Sequence, residues 1–358
     1  SPSVAVTQRL SLLDRFLPLW IGLAMALGLA LGRWVPDLDQ HLERLKVDTV
    51  SLPIALGLLA MMYPVLAKVR FGHVGDELAD RRVLGLSLLL NWVVGPLLMF
   101  TLAWVFLADL PELRTGLIIV GLARCIAMVL VWNDLADGSR ELAAVLVAVN
   151  SLFQIVMYSV LGWFYLTVLP GWLGWDTADL DVSIWAIAKS VLVFHGIPLL
   201  AGYLTRTVGE ARKGRQWYEE RFLPRIGPVA LYGLLFTIVV LFALQGEQIT
   251  DNPLDVARVA IPLLVYFALM WGGSFLVGFR LRLPYARNAS VAFTAAGNNF
   301  ELAIAVSIAV FGVTSGQALA GTIGPLIEVP ALVALVYVSL WAKRRFYDRR
   351  IEAGAVSG

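Results

Sequence analysis

The chain has 358 residues, of which 59% are hydrophobic and only 15% charged, with a formal net charge of +2 and a mean hydropathy of +0.77. Soluble globular domains carry about a quarter charged residues, so this composition excludes one and points to a membrane protein. The small net charge excludes a nucleic-acid-binding stripe, and a single cysteine excludes an intrachain disulfide or a tris-thiolate metal centre; no cofactor is expected.

Apolar windows of about 20 residues are long enough to span a bilayer. Ten occur, at 17–36, 49–69, 83–107, 115–134, 141–169, 183–205, 225–245, 256–279, 289–312 and 318–342. They predict an all-α polytopic membrane protein with a single transmembrane domain over 1–358. Residues 1–16 form an N-terminal segment whose end, from Arg9 to Leu17, alternates charge with Leu and Phe as an interfacial helix does. The first run ends at Arg33, Trp34, Val35 and Pro36 rather than at a small-residue cleavage site, so it is expected to stay as an anchor. Residues 343–358 are expected to be a cytoplasmic tail.

Lys and Arg divide unevenly between alternate connectors, 21 on one side and 5 on the other, with Arg124 and Lys189 inside spans. Cytoplasmic loops carry the excess of positive charge, which predicts both termini in the cytoplasm and a cell (inner or plasma) membrane location. The basic connector 206–225 is expected to be a solvated loop near anionic lipid. It separates two sets of five spans, 17–169 and 183–342. An odd-numbered set repeated once inserts upside down, the inverted five-plus-five plan of many carriers. Pro53-Ile-Ala-Leu-Gly-Leu-Leu in span two resembles Pro228-Val-Ala-Leu-Tyr-Gly-Leu-Leu in span seven, which is weak support for the repeat.

A charge at membrane depth is costly and marks a bundle interior or a pathway, which singles out Arg124 beside Cys125 in span four. Counted at 1.5 Å per residue, Cys125 lies roughly 15 Å from one surface, Glu301 in span nine roughly 18 Å from the other, and Glu328 in span ten roughly 15 Å deep. Asn150, Ser151 and Gln154 of span five share that layer. Gly297-Asn298-Asn299 is a natural place for span nine to unwind, since Gly and Asn tolerate non-helical dihedrals. Spans four and nine are therefore expected to be broken and to cross. The polar spans suggest a core of spans three to five and eight to ten, and the plainer ones a panel of one, two, six and seven.

Three stretches carry a resemblance over essentially the whole chain: Gly121-Leu-Ala-Arg-Cys-Ile-Ala-Met-Val-Leu-Val-Trp-Asn-Asp-Leu-Ala-Asp-Gly, Ala296-Gly-Asn-Asn-Phe-Glu-Leu-Ala-Ile-Ala-Val and Gly324-Pro-Leu-Ile-Glu-Val-Pro. Together they resemble the arsenical-resistance permeases, arsenite efflux carriers of the bile acid/arsenite/riboflavin transporter superfamily. The resemblance implies export of trivalent arsenite, and for some members antimonite, in exchange for protons. It also implies ten spans, with Cys125 and Glu301 as the functionally required residues. His195, midway along span six, departs from the apolar residue expected there.

These residues suit that chemistry. Arsenite is mostly an uncharged trihydroxide whose soft arsenic a thiolate attacks, and one thiol binds it weakly enough to release it. Arg124 would favour the thiolate of Cys125. Glu301 is the candidate proton carrier, because burial favours its neutral acid and a nearby Arg124 its carboxylate; Glu328 is a second. Pairing of Arg124 with Glu301 or Glu328 is left open, as is a role for the guanidinium as a built-in cation. Asn150, Ser151, Gln154, Asn298 and Asn299 could hydrogen-bond substrate hydroxyls or satisfy unwound backbone. A sodium-coupled organic-anion symporter is the nearest alternative; an intramembrane thiol enzyme using Cys125 and His195 lacks an ordered base and an oxyanion site.

Overall fold

A computed structural model describes residues 10–35, 37–47, 50–71, 80–175 and 182–348. The first nine residues of the N-terminal segment, most of the 68–82 connector, and the tail from 349 onward lie outside the described residues. Apart from a two-residue hairpin, β1 (Lys46–Val47) against β2 (Val50–Ser51), the chain is helical. The principal helices are α1 (Leu17–Trp34), α2 (Leu52–Ala67), α3 (Arg81–Phe106), α4 (Pro111–Leu122), α5 (Met128–Leu135) and α6 (Arg140–Leu173). They continue with α7 (Ile184–Lys213), α8 (Arg215–Gly246), α9 (Pro253–Arg280), α10 (Tyr285–Ala296), α11 (Phe300–Phe311) and α12 (Gly316–Asp348). Seven of them, α1, α3, α6, α7, α8, α9 and α12, are long and apolar enough to cross a bilayer unaided.

Besides the widened last turn of α12, Lys343–Asp348, four helices contain one such turn, at Leu90–Val94, Phe164–Val168, Leu192–Gly196 and Tyr218–Phe222. Each is followed two residues later by proline: Pro96, Pro170, Pro198 and Pro224. Proline lacks an N–H and its ring crowds the carbonyl four residues back. A wider turn frees that carbonyl and lets the helix continue through the membrane.

Helix α8 lies along α1 and α2, and α7 along α2. The contacts are close because small residues line them, as is usual where helices associate in lipid. Gly28 and Gly32 of α1 meet Val239, Phe242 and Ala243 of α8. A Cβ on Gly233 would lie 2.8 Å from the Gly57 carbonyl and 2.7 Å from the Met61 nitrogen. Gly57 and Gly233 are the matched glycines of the two similar proline-led stretches. The remaining helices form a second group: α4 and α9 to α12 pack on one another, α3 packs on α4, and α6 packs on α10 and on the first part of α7.

The connector 206–225 differs from expectation. It is helical, with α7 and α8 separated only by Gly214, whose φ of 88° suits a residue without Cβ. Its ends are held by Arg206, buried over the Tyr218 ring at 4.5 Å, and bonded to Glu210 at 2.8 Å and to the Lys68 carbonyl at 3.1 Å. Glu219 receives Arg70 at 2.9 Å as well. Most of the stretch is exposed, as expected of a solvated connector, and ion pairs tie its two ends together.

Candidate functional site

Two helix breaks meet inside the second group. Residues 123–127 separate α4 from α5, and residues 297–299 separate α10 from α11. The backbone is extended at Ala123 (φ −88°, ψ 114°) and at Gly297 (φ −71°, ψ 154°). Non-helical backbone at membrane depth must find partners in protein or water. Here each break supplies the other: Arg124 and Asn298 form an antiparallel bridge, and the Asn299 amide donates to the Ala123 carbonyl at 3.1 Å. The Asn299 side chain caps α11 by accepting from the Leu302 amide at 3.1 Å.

Arg124 is fully buried at this crossing. Its guanidinium donates to the Gly121 carbonyl at 3.0 Å, the Ala295 carbonyl at 3.3 Å, the Tyr266 hydroxyl at 2.6 Å and the Asn298 side-chain oxygen at 2.6 Å. Gly121 and Ala295 sit in the last turns of α4 and α10. One cation thus rests on the negative ends of two half-helices, the favourable polarity for a helix C-terminus. Gly95 of α3 makes the room, since any Cβ there would collide with the Arg124 guanidinium. The backbone N–H of Arg124 goes to Gln154 at 3.1 Å. No ion pair joins Arg124 to Glu301 or Glu328: among the described residues its partners are neutral oxygens. The pairing that charge and depth suggest is replaced by helix-end carbonyls because those carbonyls need a donor.

Cys125 is 2% exposed and faces the backbone amides of Ala127 and Val129 at the start of α5. Gly297 lies against it: a Cβ at that position would sit 2.9 Å from the Cys125 Cβ and 3.0 Å from its sulfur. Gly297→Ala is therefore expected to displace the thiol and to destabilise the crossing by about 1–3 kcal/mol, the usual range for overpacking. Maleimide labelling rate and melting temperature of the purified variant check this; parent values for both would show that Gly297 does not set the thiol's position.

Glu301, in the first turn of α11, borders a cavity of about 530 Å³. Ala127 and Met128 of the crossing form its inner end, Val65, Leu231 and Leu234 its apolar wall, and Asp14, Lys68 and Glu219 its polar rim. Glu328 of α12 is 5% exposed, near enough to Glu301 for their charges to interact, and faces the Asn298 backbone amide. Four buried polar atoms around the crossing have no partner: Arg124 Nε, Asn298 Nδ2, Asn299 Nδ2 and Glu328 Oε1. Unsatisfied buried polar atoms are rare and call for a ligand or water. They supply three donors and one acceptor beside a thiol.

Asn150 and Ser151 have partners within the protein. The Ser151 hydroxyl bonds the Val147 carbonyl of its own helix at 2.8 Å, and Asn150 donates to Asn91 of α3 at 3.3 Å. Gln154 is held by the Asn150 carbonyl at 3.1 Å, so this row positions the Arg124 backbone rather than lining the cavity. His195 is buried in the widened turn of α7, with Nε2 2.8 Å from the Ser151 carbonyl. Asp134 bonds Arg140 at 3.0 Å on the surface. Sequence reasoning missed Tyr266, Asn91 and Gly95. Asn91 had a local signal, a serine four residues earlier that it bonds; Tyr266, alone in an apolar run, had none.

Half-helices that end at a shared polar centre inside an apolar bundle define a membrane transporter of the broken-helix class. Residues 55–252 match the model of the Sodium Bile acid symporter family. The chain is 62% identical over 337 residues to the Arsenical-resistance protein Acr3 of Corynebacterium glutamicum, covering 94% of this chain and 91% of that protein. It is 32% identical over 340 residues to the Arsenical-resistance protein Acr3 of Alkaliphilus metalliredigens, with 91% and 92% covered, and 36% identical over 348 residues to an uncharacterized transporter of Synechocystis sp., with 92% and 88% covered. The chain belongs to the arsenical-resistance permease family. It is a multi-pass membrane transporter, not an enzyme.

Proposed function

We propose that this protein exports trivalent arsenite, and antimonite as its heavier congener, from the cytoplasm in exchange for protons. The observation that carries this reading is the set of unpartnered donors and acceptor at Arg124, Asn298, Asn299 and Glu328 beside Cys125. A pyramidal trihydroxide needs both donors and acceptors for its hydroxyls and a soft ligand for its centre, and thiolates are soft ligands. The Cys125 thiol condenses with one hydroxyl of arsenous acid; an arsenic–sulfur bond forms and water leaves. Hydrolysis reverses the step, so release needs no further reactant.

In this reading α1, α2, α3, α4 with α5, α6, α7, α8, α9, α10 with α11, and α12 make ten spans in two inverted sets of five. The contact of Gly57 with Gly233 supports a two-fold relation between them. With the basic side in the cytoplasm, both termini are cytoplasmic and the 530 Å³ cavity opens toward that side. Glu301, at the cavity wall, takes the coupling proton, and Glu328 shares the role through its proximity. Arg124 is the fixed cation of the crossing, standing where half-helix ends and unwound carbonyls of carriers hold a coupling ion.

Everted vesicles test this. Arsenite uptake is expected to accelerate under an inwardly acid gradient and to be unchanged when sodium is removed. In Glu301→Gln the gradient is expected to lose its effect. A gradient response retained in Glu301→Gln removes that residue as the proton carrier. A strict sodium requirement favours the alternative, a sodium-coupled organic-anion symporter, for which the family model's description speaks.

A further inference from the structure

Away from the crossing, the basic ends of α9 and α12 enclose a second cavity, of about 410 Å³, lined by Arg282, Leu283, Pro284, Tyr285, Lys343, Tyr347 and Asp348. Its lip carries an unusual residue. The turn after α9 closes with the Leu283 amide on the Gly278 carbonyl at 3.0 Å and the Arg282 amide on the Phe279 carbonyl at 3.1 Å, the paired bonds of a Schellman motif. The position that motif reserves for glycine holds Arg282, at φ 62°. A left-handed conformation is unfavourable for any residue with a Cβ, and strain of this kind concentrates where a ligand is clamped. Arg282 is exposed, and its side chain has no hydrogen bond or ion pair among the described residues.

The opposite wall is built from α12. Lys343 lies 5.4 Å from the Tyr285 ring centroid and 3.5 Å from Asp137. Asp137 is itself left-handed, at φ 58°, a conformation that Asp tolerates better than most residues. Tyr285 is fixed by the Ala136 carbonyl at 2.6 Å and Ser339 at 2.8 Å, and Tyr347 by Asn288 at 2.9 Å. Arg280, Arg344 and Arg345, next in sequence to the lining residues, are exposed; Asp348 is the one carboxylate on the lining. Just beyond, Trp341 and Phe346, edge to face at 5.6 Å, and Leu276 expose apolar surface. A rigid aromatic cleft with cations at its lip and bare hydrocarbon beside it matches an amphiphile with an anionic head.

We propose that this cleft holds the phosphate of an anionic phospholipid, gripped by Arg282 and Lys343, with its acyl chains along Leu276, Trp341 and Phe346. Basic pockets between helix ends are suited to such headgroups. The test uses the purified full chain, delipidated and titrated with phosphatidylglycerol or phosphatidylcholine, and read by native mass spectrometry. Phosphatidylglycerol is expected to be retained preferentially. Arg282→Gly removes the cation and also relieves the strain, so it is expected to bind phosphatidylglycerol about fivefold more weakly, the scale of one basic residue at an anionic surface, while melting no lower than the parent. Lys343→Gln is expected to weaken it similarly. Retention unchanged in Arg282→Gly, or equal retention of both lipids, overturns the proposal. Displacement of the lipid by millimolar inorganic phosphate would show a free-anion site and overturn it too.

Discussion

Cys125→Ser is expected to reduce arsenite uptake into everted vesicles by about two orders of magnitude, equivalent to about 2.8 kcal/mol at 1.4 kcal/mol per decade. The serine hydroxyl is close in size to the thiol, and the site around it, Gly297 and the first turn of α5, tolerates it. What changes is the donor: hard oxygen replaces the soft sulfur that arsenic prefers. The melting temperature is expected to stay within a few degrees of the parent, which separates lost chemistry from lost structure. Parent-level uptake by the serine variant would remove the thiol from the transport cycle. Because the neighbouring donors at Asn298 and Asn299 survive the change, arsenite should still bind weakly, and raising its concentration should recover part of the rate.

Arg124→Lys is expected to abolish uptake although charge is conserved. The guanidinium reaches four oxygens on α4, α9, α10 and the second break, a spread that a planar fork covers and a single ammonium does not. At least two of those oxygens would lose their donor in a dry interior, at about 1–3 kcal/mol each. The measurable consequence is a lower melting temperature together with lost transport. Near-normal uptake by the lysine variant would show that only the charge matters, and the helix-end geometry would then be incidental.

Much of this architecture was legible in the residues themselves. Apolar run lengths gave an all-helical polytopic membrane protein, although α7 and α8 run well beyond the windows 183–205 and 225–245, and Gly297-Asn298-Asn299 marked its own break through backbone tolerance. That Cys125, Glu301 and Glu328 lie close to one another followed from rise per residue. Partner choice did not. Counting depth makes Arg124 and the glutamates natural partners, yet the arginine turned to carbonyl ends whose existence depends on where two helices stop. Asn150 and Ser151 take partners within the protein, Asn91 and the Val147 carbonyl, that depth alone does not name. The 206–225 stretch is exposed over most of its length, as its charge suggested; its helical form and the Arg206–Glu219 pair were not legible in composition.

In the proposed transport cycle the mutual bonding of the two breaks keeps the crossing together. Pulling one break from the other would strand the Asn299 amide and the Ala123 carbonyl, and the Arg124 guanidinium and the Asn298 side-chain oxygen, in hydrocarbon, at several kcal/mol for each orphaned group. The crossing is therefore expected to stay closed during turnover. The amides at 123–124 and 298–299, though outside any helix, should therefore exchange with deuterium as slowly as those of α6. In that cycle the slippage that admits and releases cargo falls to the interface that carries the cavity, where Val65 of α2 and Leu231 and Leu234 of α8 present an apolar wall.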